Sequence, residues 1–197
     1  MTRKMRWGAA GAGLLLLLLW LCFGQPKSPS VPIQAQGDLN GNGIPEKYVL
    51  IDQTLLVIEG KQEIWQSPQG YRVESFALAD VDNDGQLNIV ISLWKKGSFG
   101  KLRPFWHKGE NDEYKNHLFV YKLQNHTIKA VWCSSNLDRP ILAFDVRDVD
   151  GDGLNELVVK EGHYKKIWGQ KYTVDEEKPA RITVWQWQQW GFYLEEP

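Results

Sequence analysis

Three short acidic stretches hold the side chains best suited to chemistry. They are Asp38-Leu39-Asn40-Gly41-Asn42-Gly43-Ile44-Pro45-Glu46, Asp80-Val81-Asp82-Asn83-Asp84-Gly85-Gln86-Leu87-Asn88 and Asp148-Val149-Asp150-Gly151-Asp152-Gly153-Leu154-Asn155-Glu156. Each places an oxygen-bearing side chain at positions 1, 3, 5 and 9 and glycine at position 6. Calcium is a hard cation that takes about six to eight oxygen ligands at about 2.3–2.6 Å. A tight loop turns alternate side chains inward, glycine allows the sharp bend, and the carbonyl at position 7 can add a ligand. The expected ion is therefore Ca2+. Its predicted ligands are Asp38, Asn40, Asn42 and Glu46 in the first loop, and Asp80, Asp82, Asp84 and Asn88 in the second. In the third they are Asp148, Asp150, Asp152 and Glu156. One such stretch would be an ordinary turn, because Asp, Asn and Gly are turn residues. Three in the same register argue for a shared purpose. The ligating positions carry four carboxylates in the third loop, three in the second and two in the first, which predicts calcium affinity in that order.

The opening of each loop is like that of an EF-hand, which would also need a bidentate glutamate at position 12 and a flanking helix on each side. Position 12 is Val49, Ile91 or Val159, and the segment after each loop is β-prone: Tyr48-Val49-Leu50-Ile51, Ile89-Val90-Ile91 and Leu157-Val158-Val159. The EF-hand is excluded. A second group of residues mixes aromatic rings with cations. Phe99, Arg103, Phe105, Trp106 and His107 lie in a stretch near 95–116, and Tyr164 and Trp168 lie in another near 164–179. Such mixtures suit stacking on sugar rings or pairing with anionic groups. His107 and His163 would need a third ligand to hold a transition metal, and no recognisable spacing supplies one. His117 and His126 are expected at the surface, flanking strands.

These side chains must be positioned by strands. Trp65 precedes Asp80, and Trp132 precedes Asp148, at nearly the same interval, and aligning them brings Leu56-Val57-Ile58 roughly into line with Phe119-Val120-Tyr121. Each unit then reads as strand, acidic loop, strand, connection, strand, short turn, strand, which is a four-stranded antiparallel meander. The predicted units are 31–67, 70–135 and 139–197. Their strands lie near 31–36, 46–52, 54–59 and 62–66; near 72–79, 87–94, 117–123 and 127–133; and near 140–147, 155–163, 180–187 and 190–195. No apolar period of 3.6 residues is sustained beyond the N-terminus, so helix should be scarce.

The Asp-x-Asp-x-Asp-Gly-x-x-Glu loop between two strands resembles the FG-GAP/VCBS repeat of integrin α-subunit propellers and many exported bacterial proteins. The loops at Asp80 and Asp148 fit the pattern well, and that at Asp38 is divergent. The resemblance covers the chain after residue 30 and implies an all-β fold of three propeller-like blades, calcium at the blade loops, and a role in adhesion or ligand binding. A closed propeller typically needs about four to eight blades. Three would form an open arc, or half of a six-bladed ring completed by a homo-dimer.

The N-terminus predicts export. Arg3, Lys4 and Arg6 precede an apolar run from Trp7 to Phe23 that includes six consecutive leucines, Leu14 to Leu19. Basic residues ahead of such a run send the chain beyond it across the membrane. Residues 1–24 are either a cleaved signal, with Cys22 and Gly24 at the cleavage site, or an uncleaved anchor that would be the chain's only contact with the membrane. Residues 25–30 read as a linker to the domain at 31–197. Outside the N-terminal run Cys133 is the one cysteine, which excludes an intramolecular disulfide framework. A net charge of −1 supplies no field to attract nucleic acid. Ten tryptophans call for packing between sheets. No zinc-helix, nucleophile-elbow or phosphate-loop motif is present. The first expectation is a non-catalytic extracytoplasmic binding or adhesion module for a protein or carbohydrate ligand. The alternatives are a hydrolase or lyase acting on cell-envelope polysaccharide, and a self-associating structural envelope protein.

Overall fold

The computed structural model describes residues 32–99, 105, 108 and 110–194. The predicted export segment, and Arg103, Trp106 and His107, lie outside the described residues. The described chain is all-β, with no helix and no segment that could cross a membrane as one. Its strands are β1 (Ile33–Gly37), β2 (Glu46–Ile51), β3 (Thr54–Glu59), β4 (Gln62–Gln66), β5 (Arg72–Ala79), β6 (Asn88–Lys96) and β7 (Tyr114–Gln124). They continue as β8 (Thr127–Cys133), β9 (Ile141–Arg147), β10 (Glu156–Glu161), β11 (Tyr164–Trp168), β12 (Lys171–Val174), β13 (Arg181–Gln188) and β14 (Gly191–Leu194).

Three sheets result. The first is the meander β1-β2-β3-β4, and the third is β9-β10-β13-β14 in the same antiparallel order. The second contains the meander β5-β6-β7-β8, with the hairpin β11-β12 added beside β7. Two-residue turns at Asp52-Gln53 and Asn125-His126 close β2-β3 and β7-β8, with φ of 47° and 65°, and 47° and 61°. Positive φ at both residues makes a turn whose twist matches that of the flanking strands, so the register is fixed locally.

The second sheet lies between the other two. Tyr48, Leu50, Leu55 and Val57 of the first sheet pack with Ile89, Ile91, Leu93, Phe119 and Tyr121 of the second. The opposite face of the same strands, Val90, Leu118 and Val120, packs with Ile141, Leu157 and Val159 of the third. This explains why β6 has no polar alternation: Asn88 to Lys95 are all buried, because both faces are covered. β2 alternates, with Glu46, Tyr48 and Leu50 inward. Among the described residues the sheets do not close into a ring.

Two expectations are corrected. The second sheet has six strands rather than four, because the stretch near 164–179, where no strand was expected, contains the hairpin β11-β12. β8 covers β7 only from Phe119 onward, so the first residues of β7 keep a free edge; Lys171 of β12 takes it opposite Tyr114 in a parallel bridge. His117, expected at the surface, is fully buried within β7, since that strand begins three residues earlier than the apolar pattern indicates. His126 is exposed in its turn, as expected, and pairs with Glu59 at 3.1 Å.

Candidate metal loops and their strand partners

All three acidic loops have the same backbone. The aspartate at position 1 accepts from the N–H at position 6: Asp38 from Gly43 at 2.8 Å, Asp80 from Gly85 at 2.8 Å and Asp148 from Gly153 at 2.9 Å. The side chain at position 9 accepts from the N–H at position 2: Glu46 from Leu39 at 2.9 Å, Asn88 from Val81 at 2.8 Å and Glu156 from Val149 at 2.9 Å. Position 6 is left-handed in every loop, with φ of 83°, 85° and 89° at Gly43, Gly85 and Gly153. Position 4 is left-handed as well: Gly41, Asn83 and Gly151 have φ of 71°, 57° and 83°. The spacing rule had not singled out position 4. Only glycine and, at some cost, asparagine adopt this conformation readily.

The loops differ in what faces their acidic groups. In the third, Asp148, Asp150 and Glu156 bring carboxylate oxygens within 4.8 Å of one another. The backbone N–H groups of Gly151 and Gly153 hold the Asp148 carboxyl below the usual aspartate range, so it stays ionised. Among the described residues no lysine or arginine pairs with these carboxylates. Glu156 is buried, while Asp148, Asp150 and Asp152 are open to solvent. An all-oxygen donor set with unbalanced negative charge suits a hard divalent cation.

Asp80, Asp82 and Asp84 of the second loop also converge within 4.8 Å. Here, however, the ammonium of Lys122 on β7 sits among them. It lies 3.0 Å from Asp82 Oδ2 and donates to Asp84 Oδ2 as well. The Lys122 and Asp82 side chains are only 11% and 8% exposed. Burial works to lower the lysine pKa, but the bonds to Asp84 and Asp82 outweigh it and raise it, so the cation is secure. Lys122 in turn holds the Asp84 carboxyl low. Solvent screens Asp84, whose side chain is 44% exposed, more than Asp82, so Asp82 is the stronger partner.

In the first loop the amide nitrogens of Asn40 and Asn42 donate to Glu59 Oε1, at 2.9 and 2.7 Å. These bonds, Asn40's above all, hold the Glu59 carboxyl low. Among the described residues its remaining carboxylates, Asp38 and Glu46, do not form a three-acid cluster with another residue. Glu46 Oε1 and, in the second loop, Asp82 Oδ1 are buried without a hydrogen-bond partner. The second and third loops are joined: Asn155 N–H donates to Asn83 Oδ1 at 2.7 Å, and Asn155 Nδ2 donates to the Asp80 carbonyl at 2.8 Å.

Sequence reasoning missed Glu59, Lys122 and Gln186, although a signal was present. Each directly follows an apolar run of the third strand in its meander: Leu56-Val57-Ile58, Phe119-Val120-Tyr121 and Val184-Trp185. The strand register puts Glu59 opposite Glu46, and its next step puts Lys122 opposite Asn88 and Gln186 opposite Glu156.

The aromatic residues divide. Tyr164 is stitched into the fold, its hydroxyl accepting from Asn116 N–H at 3.2 Å and donating to the Leu137 carbonyl at 3.1 Å. Its ring meets Trp94 edge-on at 5.8 Å, and the Lys115 ammonium lies 5.4 Å from it and 4.8 Å from the Tyr172 ring. Trp168 and Phe105 are 84% and 90% exposed, and Phe99 is half-buried. His163 Nε2 lies 2.9 Å from Arg139 Nη1, a neighbour that disfavours a metal there. Desolvation pushes the Cys133 thiol up to about 11, so at neutral pH it is no thiolate nucleophile.

No family model matches this chain, and no curated protein does.

Proposed function

We propose that the protein is a non-catalytic binding or adhesion module of the FG-GAP/VCBS kind. It works outside the cytoplasm, with its blade-like sheets braced by calcium. One observation carries the metal reading: Asp148, Asp150 and Glu156 converge, and among the described residues no lysine or arginine pairs with them. Asp148, Asp150, Asp152 and Glu156 would hold the ion, which would supply the positive charge these carboxylates lack. The loop joins β9 to β10 and is hydrogen-bonded to the second loop, so an ion there would stiffen the junction of two sheets. The placement outside the cytoplasm rests on the basic-then-apolar N-terminus. The exposed Trp168, at the end of β11, offers a surface for a protein or carbohydrate ligand.

The test is a thermal melt of the 197-residue chain in calcium and in chelator, with Asp150→Asn alongside. This substitution keeps an oxygen to accept from Asp152 N–H and removes the charge. Calcium at about 100 times its dissociation constant should add about 2.7 kcal/mol to stability, and Asp150→Asn should abolish most of that gain. A melting temperature that does not move up to millimolar calcium would sink the reading.

A further inference from the structure

In two of the three loops the strand residue opposite position 9 binds positions 3 and 5 of its own loop. In the first loop Glu59 accepts from the amides of Asn40 and Asn42, which are positions 3 and 5. In the second, Lys122 binds Asp82 and Asp84, again positions 3 and 5. In the third, positions 3 and 5 are Asp150 and Asp152, and the corresponding strand residue is neutral Gln186, which lines a small cavity with Asp152 and Glu156. Acceptor meets donors, cation meets anions, and in the third loop a neutral amide shares a cavity with Asp152.

We infer that the third-strand residue selects the cation of its loop: Lys122 supplies one from within the chain, and Gln186 leaves the third loop to a divalent ion from solution. The Lys122 ammonium is itself a cation seated among the acidic groups of the second loop, which shows that this backbone brings carboxylates together around positive charge. A divalent ion entering that loop would have to displace a buried, doubly paired ammonium. In the first loop Glu59 is already occupied by the amides at positions 3 and 5, and no three-acid cluster forms there among the described residues. The calcium order expected from carboxylate counts thus becomes a single choice, in favour of the third loop. The inference rests on the metal reading above, and adds to it which loop is loaded and which residue decides.

The experiment is a calorimetric calcium titration of the 197-residue chain as wild type, Lys122→Gln and Gln186→Lys, with melts of each in chelator. Wild type should bind one calcium ion. Lys122→Gln should bind two, and should melt lower than wild type in chelator but recover in calcium. Gln186→Lys should bind none while melting in chelator no lower than wild type, because it carries its own ammonium. A wild type that binds two or more ions, or a folded Lys122→Gln that binds no more than wild type, overturns the inference while leaving the metal reading intact. If Lys122→Gln does not fold, Gln186→Lys decides: retained calcium binding overturns the inference, and its loss in a folded protein supports it. A wild type that binds no calcium overturns the metal reading, and this inference with it.

Discussion

His117 should make the fold sensitive to acid in a defined window. The residue is fully buried on β7, and its Nδ1 lies 3.2 Å from the Ser134 carbonyl oxygen. A carbonyl only accepts, so Nδ1 carries the proton and Nε2 is bare. Nε2 is buried without a hydrogen-bond partner. Burial first, and then the Lys95 charge, pull the imidazole pKa from 6.5 down to about 4, against the weaker pull of Ser134, Ser135 and Asn136. The unfolded chain therefore takes up the proton near pH 6.5, and the folded chain only near pH 4. Above the upper value both states are neutral and the histidine has no effect. Stability falls as the pH drops through the window, and the whole penalty is present below it. The gap is worth about 3 kcal/mol, or about 6–12 °C in melting temperature for a chain of this size. The control is His117→Asn, whose side-chain amide can still donate to the Ser134 carbonyl but does not titrate. The variant should melt lower at neutral pH, because the 5.7 Å ring contact with Phe119 is lost. Between about pH 7.5 and about pH 4.5, wild type should lose several degrees more than the variant. Parallel losses would refute the argument, since every other titrating group is common to both proteins.

Tyr164→Phe removes the hydroxyl that joins Asn116 N–H to the Leu137 carbonyl. It should cost about 1–3 kcal/mol and speed hydrogen exchange in β11-β12 before it does so in the first sheet; unchanged exchange in the hairpin would show that other contacts hold it. Gly153→Ala adds a methyl that meets nothing within 4 Å, so its cost comes from the backbone alone, at φ 89°. It should lower stability by about 1–2 kcal/mol and weaken the calcium-dependent rise in melting temperature; a variant as stable as wild type would show that the loop can relax.

The sequence by itself determined the three acidic loops and the four-strand meander around each, though not the hairpin β11-β12 or the full length of β7. Alternating β2, the two-residue turns and the β-branched runs are local signals, and hydrogen bonds within each acidic loop need only the nine residues of that loop. Position 6 was legible because glycine is the residue that takes its φ most readily. Position 4 was not, because asparagine at 83 masks the same requirement. What only the tertiary structure decided is which side chain of a neighbouring strand faces each loop. The partner of Asp82 and Asp84 comes from β7, 38 residues beyond Asp84, and reaches them through strand register. Counting carboxylates along the chain therefore could not register the ammonium that sits among those of the second loop. The hairpin β11-β12 escaped notice for a related reason. Its strands are short and largely polar, and Tyr164, Tyr172 and Lys115 hold it to an edge of β7 that exists only because β8 stops short. His117 is buried by the same extension of β7. Local pattern fixes the backbone of each element, whereas charge balance and burial depend on which elements meet.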